Sequence, residues 1–238
     1  MGENSYFRRK LQLGGLLRSR DEAIIKFCDK KSVIHVGCSD SPFTELRLRQ
    51  GTLLHQQLIP VVSRLLGVDI DTRGLNILRE AIGGEYSDID IQRYSKVKDI
   101  TLQQVFGFTP DVILLGDVIE HLNNPREILM ALANLTRGSD TRILITTPNS
   151  PAIRNTINTA LGYELMHPEH LLIHSPTTLR TVLDSSGLTP IAWNYYLIQT
   201  GTDTPHRLYD SLGSIAARFR GAWADGHFVV CVSKEASK

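Results

Sequence analysis

The 238-residue chain has no large excess of charge of either sign. Its 26 Lys and Arg residues nearly balance its 25 Asp and Glu residues, which leaves a net charge of +1. Proteins that hold nucleic acid phosphates or anionic membranes usually carry a basic face, and none stands out in this composition. We therefore do not expect nucleic acid as a partner.

Cysteines and long apolar runs are also scarce. Cys28, Cys38 and Cys231 lie far apart without a CxxC spacing, so neither a disulfide framework nor a cysteine zinc site is predicted. No apolar run reaches the roughly 18 residues that cross a bilayer, and the N-terminus lacks the apolar core of a signal peptide. We expect a cytoplasmic protein in a reducing compartment, without a membrane span.

Strand and helix patterns alternate along the chain, whose 42% hydrophobic content suffices for one α/β domain. The strand predictions are residues 32–36, "LLGVDID", "DIDIQRY", "DVILLGDVIEHL" and "RILITTPN". The intervening segments are amphipathic, and we predict a helix over Leu53–Leu65 among them. The last two strands, "IAWNYYLIQ" and "GHFVVCVSK", have no clear crossover helix between them and are expected to pair antiparallel at one edge. The pattern predicts a doubly wound, mostly parallel sheet.

We divide the chain into a basic helical leader, residues 1–30, and one domain, residues 31–238. The leader interleaves basic side chains with leucines at helical spacing, which is typical of an amphipathic surface helix. Within it we predict a helix from Asp21 to Asp29, with Asp21 as its N-cap. A long polar stretch, residues 150–174, follows the fifth strand and is a candidate lid over the strand ends.

The turn after the first strand, "VIHVGCSDSP", resembles a cofactor loop that has lost glycines. Ligands of open α/β sheets bind beyond the carboxyl ends of the strands, and Gly37 allows close approach there. Ser39 and Ser41 stand where a dinucleotide loop has further glycines, and Asp40 adds a negative charge. A pyrophosphate is therefore disfavoured, and NAD with it.

A cofactor with an ammonium and a sulfonium but no phosphate, such as S-adenosylmethionine, would meet no such repulsion. Asp69, at the end of the second strand, can accept hydrogen bonds from a ribose diol. Taken singly, Gly37 is also compatible with an ordinary strand-to-helix turn, and Asp69 with a helix cap.

A cluster of acids and histidines follows the fourth strand. "GDVIEH" supplies Asp117, Glu120 and His121, and the candidate lid adds His167, Glu169, His170 and His174. In one interpretation His121 or His170 is a general base oriented by a carboxylate. In another, Asp117, Glu120, His121 and His170 bind a divalent metal that lowers the pKa of a substrate hydroxyl. A third leaves Glu120 and His121 as loop caps and the lid histidines in solvent.

Several motifs in order resemble the class I S-adenosylmethionine-dependent methyltransferases, in particular a bacterial branch. They are "VIHVGCSDSP", "GVDID", "DVILLGDVIEHLNNP", "ILITTPNS" and "HPEHLLIHSPTTLRTVLDSSGL", and the resemblance covers roughly residues 30–195. It implies a Rossmann-like fold and S-adenosylmethionine as cofactor. It also implies that cofactor-binding residues are Gly37, Cys38 and Ser39 in the turn, Asp69 at the hydroxyls, Ile70 and Asp99 at the adenine, and Asp117 near the methyl group.

The chain departs from this family at several positions. His35 replaces the usual acid of the first strand, Ser39 and Ser41 replace glycines, and 32 positions separate Gly37 from Asp69 where about 20 are typical. The pattern acid-x-x-Glu-His with a distant histidine resembles the metal site of small-RNA 2′-O-methyltransferases and of ubiquinone-pathway O-methyltransferases. Asp117 stands there in place of a longer glutamate.

The resemblance and the acid–histidine cluster together favour O-methylation of a small molecule or a glycan sugar hydroxyl. A catalytically silent binding or regulatory protein on the same fold is the alternative, and the retained cluster argues against it. RNA 2′-O-methylation would call for a basic face that the sequence does not display. A homodimer is compatible with these residues.

Overall fold

The computed structural model describes residues 14–164, 166–198 and 204–234, with only the backbone of residues 204–209, 211 and 212. The strands are β1 (Gly15–Leu17), β2 (Ser32–Val36), β3 (Arg64–Val68), β4 (Glu85–Ser87), β5 (Val112–Gly116), β6 (Arg142–Pro148), β7 (Leu188–Tyr196) and β8 (Gly226–Ser233). The α-helices are α1 (Arg20–Cys28), α2 (Thr44–Gln50), α3 (Leu54–Leu58), α4 (Thr72–Ile82), α5 (Leu102–Phe106), α6 (Pro125–Leu135), α7 (Ile153–Ala160), α8 (Pro176–Ser185) and α9 (Thr204–Phe219). Short 3₁₀ helices cover Ile91–Tyr94, Ile119–His121 and Gly221–Trp223.

The strands form one sheet in the order β1-β7-β8-β6-β5-β2-β3-β4. Strand β8 runs antiparallel to β6 and to β7, and the other pairs are parallel. The predicted α/β class, with its mostly parallel sheet and its antiparallel pair near the C-terminus, is confirmed. The chain adds β1 outside β7, so β7 and β8 are not the outermost strands.

Three local predictions are wrong. The helix expected over Leu53–Leu65 ends at Leu58, because Pro60 follows and cannot continue a helix. The third strand is Glu85–Ser87 rather than "DIDIQRY", where Asp90 caps a 3₁₀ helix by accepting a hydrogen bond from the Gln92 amide at 3.0 Å. Such local side-chain bonds compete with strand pairing. A further helix, α9, occupies the connection between β7 and β8, where none was predicted.

The described part of the leader packs with the sheet. Residues Gly15–Leu17 pair in parallel with the end of β7, and the Ile24 and Cys28 side chains of α1 are fully buried. The N-cap of α1 is Ser19, whose side chain accepts from an amide of the first turn, and Asp21 lies inside that turn. The basic residues Arg8, Arg9 and Lys10 lie outside the described residues.

Apolar side chains cover the two faces of the central strands. Along β2, Ile34 and Val36 face one core cluster and Val33 faces the other. His35 therefore points to the same side of the sheet as Val33, because side chains alternate along a strand. The three cysteines are free and buried. Along the described residues, no helix combines the length and apolar character that crossing a membrane requires.

Candidate functional site

A cavity of about 440 Å³ opens at the carboxyl ends of the central strands. Its wall includes the turn after β2, the end of β3, the 3₁₀ helix after β4, the loop after β5, the loop after α7, and parts of α1, α2, α3 and α6. Ligands of open α/β sheets bind in this position. It is also the place where the candidate lid, residues 150–174, meets the domain through the side chains of His167, Glu169 and His170.

The turn after β2 keeps one glycine that the fold requires. Gly37 has a φ of +73°, and a Cβ there would lie 2.6 Å from a methyl group of Val118. Ser39 donates from its amide (3.0 Å) and from its hydroxyl (2.7 Å) to one oxygen of Asp69, whose other oxygen accepts from the Asp71 amide at 2.9 Å. The serine that replaces a family glycine therefore orients the predicted diol-binding carboxylate.

Of the two residues predicted near the adenine, Ile70 and Asp99, the first lines the cavity and the second does not. Ile70 lines the cavity and is 70% exposed, as an apolar contact for a ligand ring would be. Asp99 is exposed and does not line the cavity, whereas Asp90 and Gln92 do. The sequence interpretation missed Asp90 because it assigned this stretch to a strand. Cys38 also lines the cavity, and burial raises the pKa of its thiol.

Asp117 follows β5 with a φ of +54°, and both oxygens of its carboxylate have hydrogen-bond partners. One oxygen accepts from the Thr146 hydroxyl at 2.8 Å and from the Tyr196 hydroxyl at 3.1 Å. The other forms a hydrogen-bonded ion pair with the Arg20 guanidinium. Among the described residues, the Asp117 carboxylate is not part of the group that the other three predicted metal ligands form.

Glu120, His121 and His170 come together as one group, with a ligand atom of each lying within 4.8 Å of the others. Glu120 is fully buried, one carboxylate oxygen accepts from the Thr147 hydroxyl at 3.0 Å, and the other has no hydrogen-bond partner. Burial raises the pKa of Glu120 to about 7. Burial also lowers the pKa of His170 to about 4, with contributions from His121 and His167, so His170 is neutral at pH 7.

The loop after α7 selects the tautomer of the His121 imidazole. The His121 Nδ1 lies 3.2 Å from the Glu169 carbonyl oxygen, which can only accept, so the neutral ring carries its hydrogen on Nδ1 and its lone pair on Nε2. The amides of Leu171 and Leu172 donate to the Glu120 carbonyl at 2.8 and 3.2 Å. This loop therefore holds the Glu-His segment from outside and leaves one free nitrogen for a ligand or a proton.

The donor set fits a divalent ion. A buried carboxylate oxygen without a partner, the Nε2 lone pair of His121 and the neutral His170 imidazole are the ligand types of zinc, iron and manganese sites. The Glu169 carbonyl bonded to the far nitrogen of His121 is the arrangement that usually orients a metal-binding histidine.

The side chains of the cavity wall that were not predicted as site residues include Arg20, His35 and His55. Arg20 comes from the leader, 97 positions before Asp117, and no local pattern indicates that pairing. His35 and His55 approach each other with 3.2 Å between their Nδ1 atoms. Burial lowers the pKa of His55 to about 4 and that of His35 well below its ordinary value, so both are neutral. The replacement of the family acid by His35 was the only signal in the sequence.

The chain resembles methyltransferases in sequence and in structure. A family model described as a methyltransferase domain matches residues 7–192. No curated protein sequence matches. A S-adenosylmethionine-dependent methyltransferase from Archaeoglobus fulgidus is similar with a TM-score of 0.52 and 17% identity, over 89% of this chain and 90% of that one. The YcgJ protein of Bacillus subtilis has a TM-score of 0.52 and 13% identity, over 91% of this chain and 98% of that one. At these identities the two structures support the fold.

Proposed function

This chain belongs to the methyltransferase-domain family of class I S-adenosylmethionine-dependent enzymes, and on that premise we propose that it methylates a hydroxyl oxygen of its acceptor with help from a divalent metal. The observation that carries the proposal is the buried Glu120 oxygen without a partner, grouped with the ligand nitrogens of His121 and His170. We propose these three residues as the metal ligands and leave Asp117 out of the set.

The cofactor, S-adenosylmethionine, supplies an electrophilic methyl group on a sulfonium. We propose that Asp69 accepts hydrogen bonds from the ribose hydroxyls and that the backbone of Gly37, Cys38 and Ser39 faces the cofactor. Ile70 would contact the adenine, and Asp90 replaces Asp99 as the acid expected near its amino group. Two facts support this arrangement: Asp69 is already oriented by three donors, and Asp90 lines the cavity.

An oxygen acceptor needs its proton removed as well as its alignment with the methyl group. A divalent ion at Glu120, His121 and His170 would lower the pKa of a hydroxyl bound to it. Without metal, the Nε2 lone pair of His121 is the base that the geometry offers, with Nδ1–H held by the Glu169 carbonyl. We propose the metal route first because a neutral base alone leaves the Glu120 oxygen buried without a partner.

We propose a small molecule or a sugar of a glycan as the acceptor. Among the described residues, the lysine and arginine side chains lining the cavity are Arg20 and Arg47, and each pairs with a carboxylate. A nucleic acid acceptor depends on several free cationic groups near the site, so this wall favours an uncharged acceptor.

The test begins with calorimetric titration of S-adenosylmethionine into the purified, chelated protein. Binding should weaken at least about tenfold in Asp69→Ala, which loses hydrogen bonds to a charged acceptor, and stay unchanged in Asp71→Ala, whose side chain caps α4 outside this cavity. Zn²⁺ or Mn²⁺ should then bind the wild type with about one ion per chain and bind His170→Ala far more weakly.

Activity completes the test. With hydroxyl-bearing acceptors, transfer should depend on the added metal and fall in Glu120→Gln and His121→Ala. Transfer that is insensitive to chelation and lost in His121→Ala would indicate that His121 acts as the base and that no metal takes part. Cofactor binding without transfer to any acceptor would favour a silent binding protein.

A further inference from the structure

Two opposite charges face each other in the cavity wall. Arg20, the first residue of α1, and Asp117, which follows β5, form an ion pair, and both side chains line the cavity. Their side chains are 22% and 26% exposed, so a ligand in the cavity can reach them. The pair bridges the leader and the central sheet across 97 positions of the chain.

Each member of this pair is held from behind by other groups. Asp117 keeps hydrogen bonds from the Thr146 and Tyr196 hydroxyls on its second oxygen. Arg20 keeps an ion pair with Asp21, at 2.7 Å from its Nε atom. If the pair opens, both charges therefore retain a partner and their orientation, which lowers the cost of separating them.

Strand β2 carries no carboxylate that could compete with Asp117 for a cofactor ammonium. The neighbouring position on β2 is His35, which is buried and neutral and shares its Nδ1 contact with His55. A neutral imidazole cannot balance the charge of a cofactor ammonium. Asp40, an acid of the following turn, is paired with Arg47 at 2.6 Å.

The amino-acid end of S-adenosylmethionine is a zwitterion, with an ammonium and a carboxylate on one carbon. We propose that the Arg20–Asp117 pair opens to receive this zwitterion, with Arg20 binding the carboxylate and Asp117 the ammonium. One ion pair within the protein is exchanged for two with the cofactor, and guanidinium matches carboxylate in a bidentate geometry. The inference rests on the adenosyl site proposed above, with Asp69 at the ribose.

This assignment gives the leader a function in cofactor binding. Helix α1 is then part of the site and selects ligands that carry the amino-acid end. S-Adenosylhomocysteine has that end, whereas 5′-methylthioadenosine has the same adenosine thioether without it. The two ligands therefore separate the Arg20–Asp117 contacts from the adenosyl contacts.

Both ligands are titrated calorimetrically into the full-length wild type, Arg20→Met, Asp117→Asn and the Arg20→Met/Asp117→Asn double variant. The double variant removes both charges of the pair, so neither member is left opposite a neutral side chain. Arg20→Met and Asp117→Asn should each bind S-adenosylhomocysteine about 10- to 100-fold more weakly, the range for a lost charged hydrogen bond. Binding of 5′-methylthioadenosine should change by less than about twofold, since its contacts are elsewhere. Arg47→Met, at the other arginine of the cavity wall, should leave both affinities unchanged.

The outcomes are distinct. Equal losses for the two ligands, or no loss for either, would overturn the zwitterion assignment while the adenosyl site stands. If the single variants do not fold, the double variant is compared with the wild type for its loss of affinity for S-adenosylhomocysteine relative to its loss for 5′-methylthioadenosine. Binding of 5′-methylthioadenosine then shows that the site of the double variant is folded. A wild type that binds neither ligand would overturn the adenosyl site and this inference with it.

Discussion

Replacing Glu120 by glutamine should stabilise the metal-free protein at alkaline pH. Burial raises the pKa of this carboxyl to about 7, against an ordinary value of 4.5. A carboxyl with a higher pKa in the folded than in the unfolded chain stabilises the fold when it is protonated. This stabilisation is complete below pH 4.5 and is lost as the pH rises through about 7.

The magnitude follows from the pKa difference. At about 1.4 kcal/mol per pH unit, the interval from 4.5 to about 7 corresponds to roughly 3 kcal/mol well above pH 7 and to less than about 1 kcal/mol at pH 5. Glutamine has the same shape, retains an oxygen acceptor for the Thr147 hydroxyl and carries no charge. The free energy of unfolding of Glu120→Gln should therefore exceed that of the wild type by roughly 3 kcal/mol at pH 8.5.

Urea unfolding in EDTA, followed by tryptophan fluorescence at pH 5 and pH 8.5, measures this difference. Glu169→Gln is the matched control, because its side chain is exposed in the loop that covers the same site, and its effect should be small at both pH values. A Glu120→Gln difference that is the same at pH 5 and pH 8.5 would refute the reasoning. Added Zn²⁺ should reverse the order at pH 8.5, since only the wild type keeps the carboxylate ligand.

Two further predictions concern side-chain contacts at and behind the cavity wall. Gly67→Ala should lower the free energy of unfolding by about 1–3 kcal/mol in urea titrations, because its Cβ would lie within 3.0 Å of atoms of Tyr86, Cys38 and His55. Gly116→Ala should lower it by less, because the atom nearest to that Cβ is 3.3 Å away. Equal losses for the two variants would contradict the packing argument. Ser39→Ala should weaken S-adenosylmethionine binding by about three- to tenfold in calorimetry, because Asp69 loses its hydroxyl donor. Unchanged affinity would show that the Ser39 amide alone orients the carboxylate.

The departures from the family pattern become intelligible once the contacts are known. A serine in the cofactor turn would be a defect if it only added bulk, yet Ser39 donates twice to Asp69. The Asp117 carboxylate is bonded to Arg20, Thr146 and Tyr196, and it does not complete the metal group. Each change therefore reassigns a contact within the same cavity.

Local patterns were sufficient for the fold class and for the turn after the first strand. Buried strands produce continuous apolar runs and helices produce a 3.6-residue period, so both can be recognised without tertiary contacts. The same holds for Gly37 and Asp69, because parallel strands bring their carboxyl ends to one edge of the sheet. Residues 88–94 were misassigned because a capping aspartate inside an alternating pattern looks like a strand.

Contacts between distant segments were decided by the tertiary structure alone. The pairing of Arg20 with Asp117 and the Nδ1 contact of His35 with His55 depend on which helices cover the sheet, and no periodicity encodes that. The pKa of Glu120 depends on its burial, which a sequence does not specify at a loop position. The sequence thus determined which residue types could serve a methyl-transfer site, and packing determined which of them share a partner, because distance and desolvation arise only when the chain is folded.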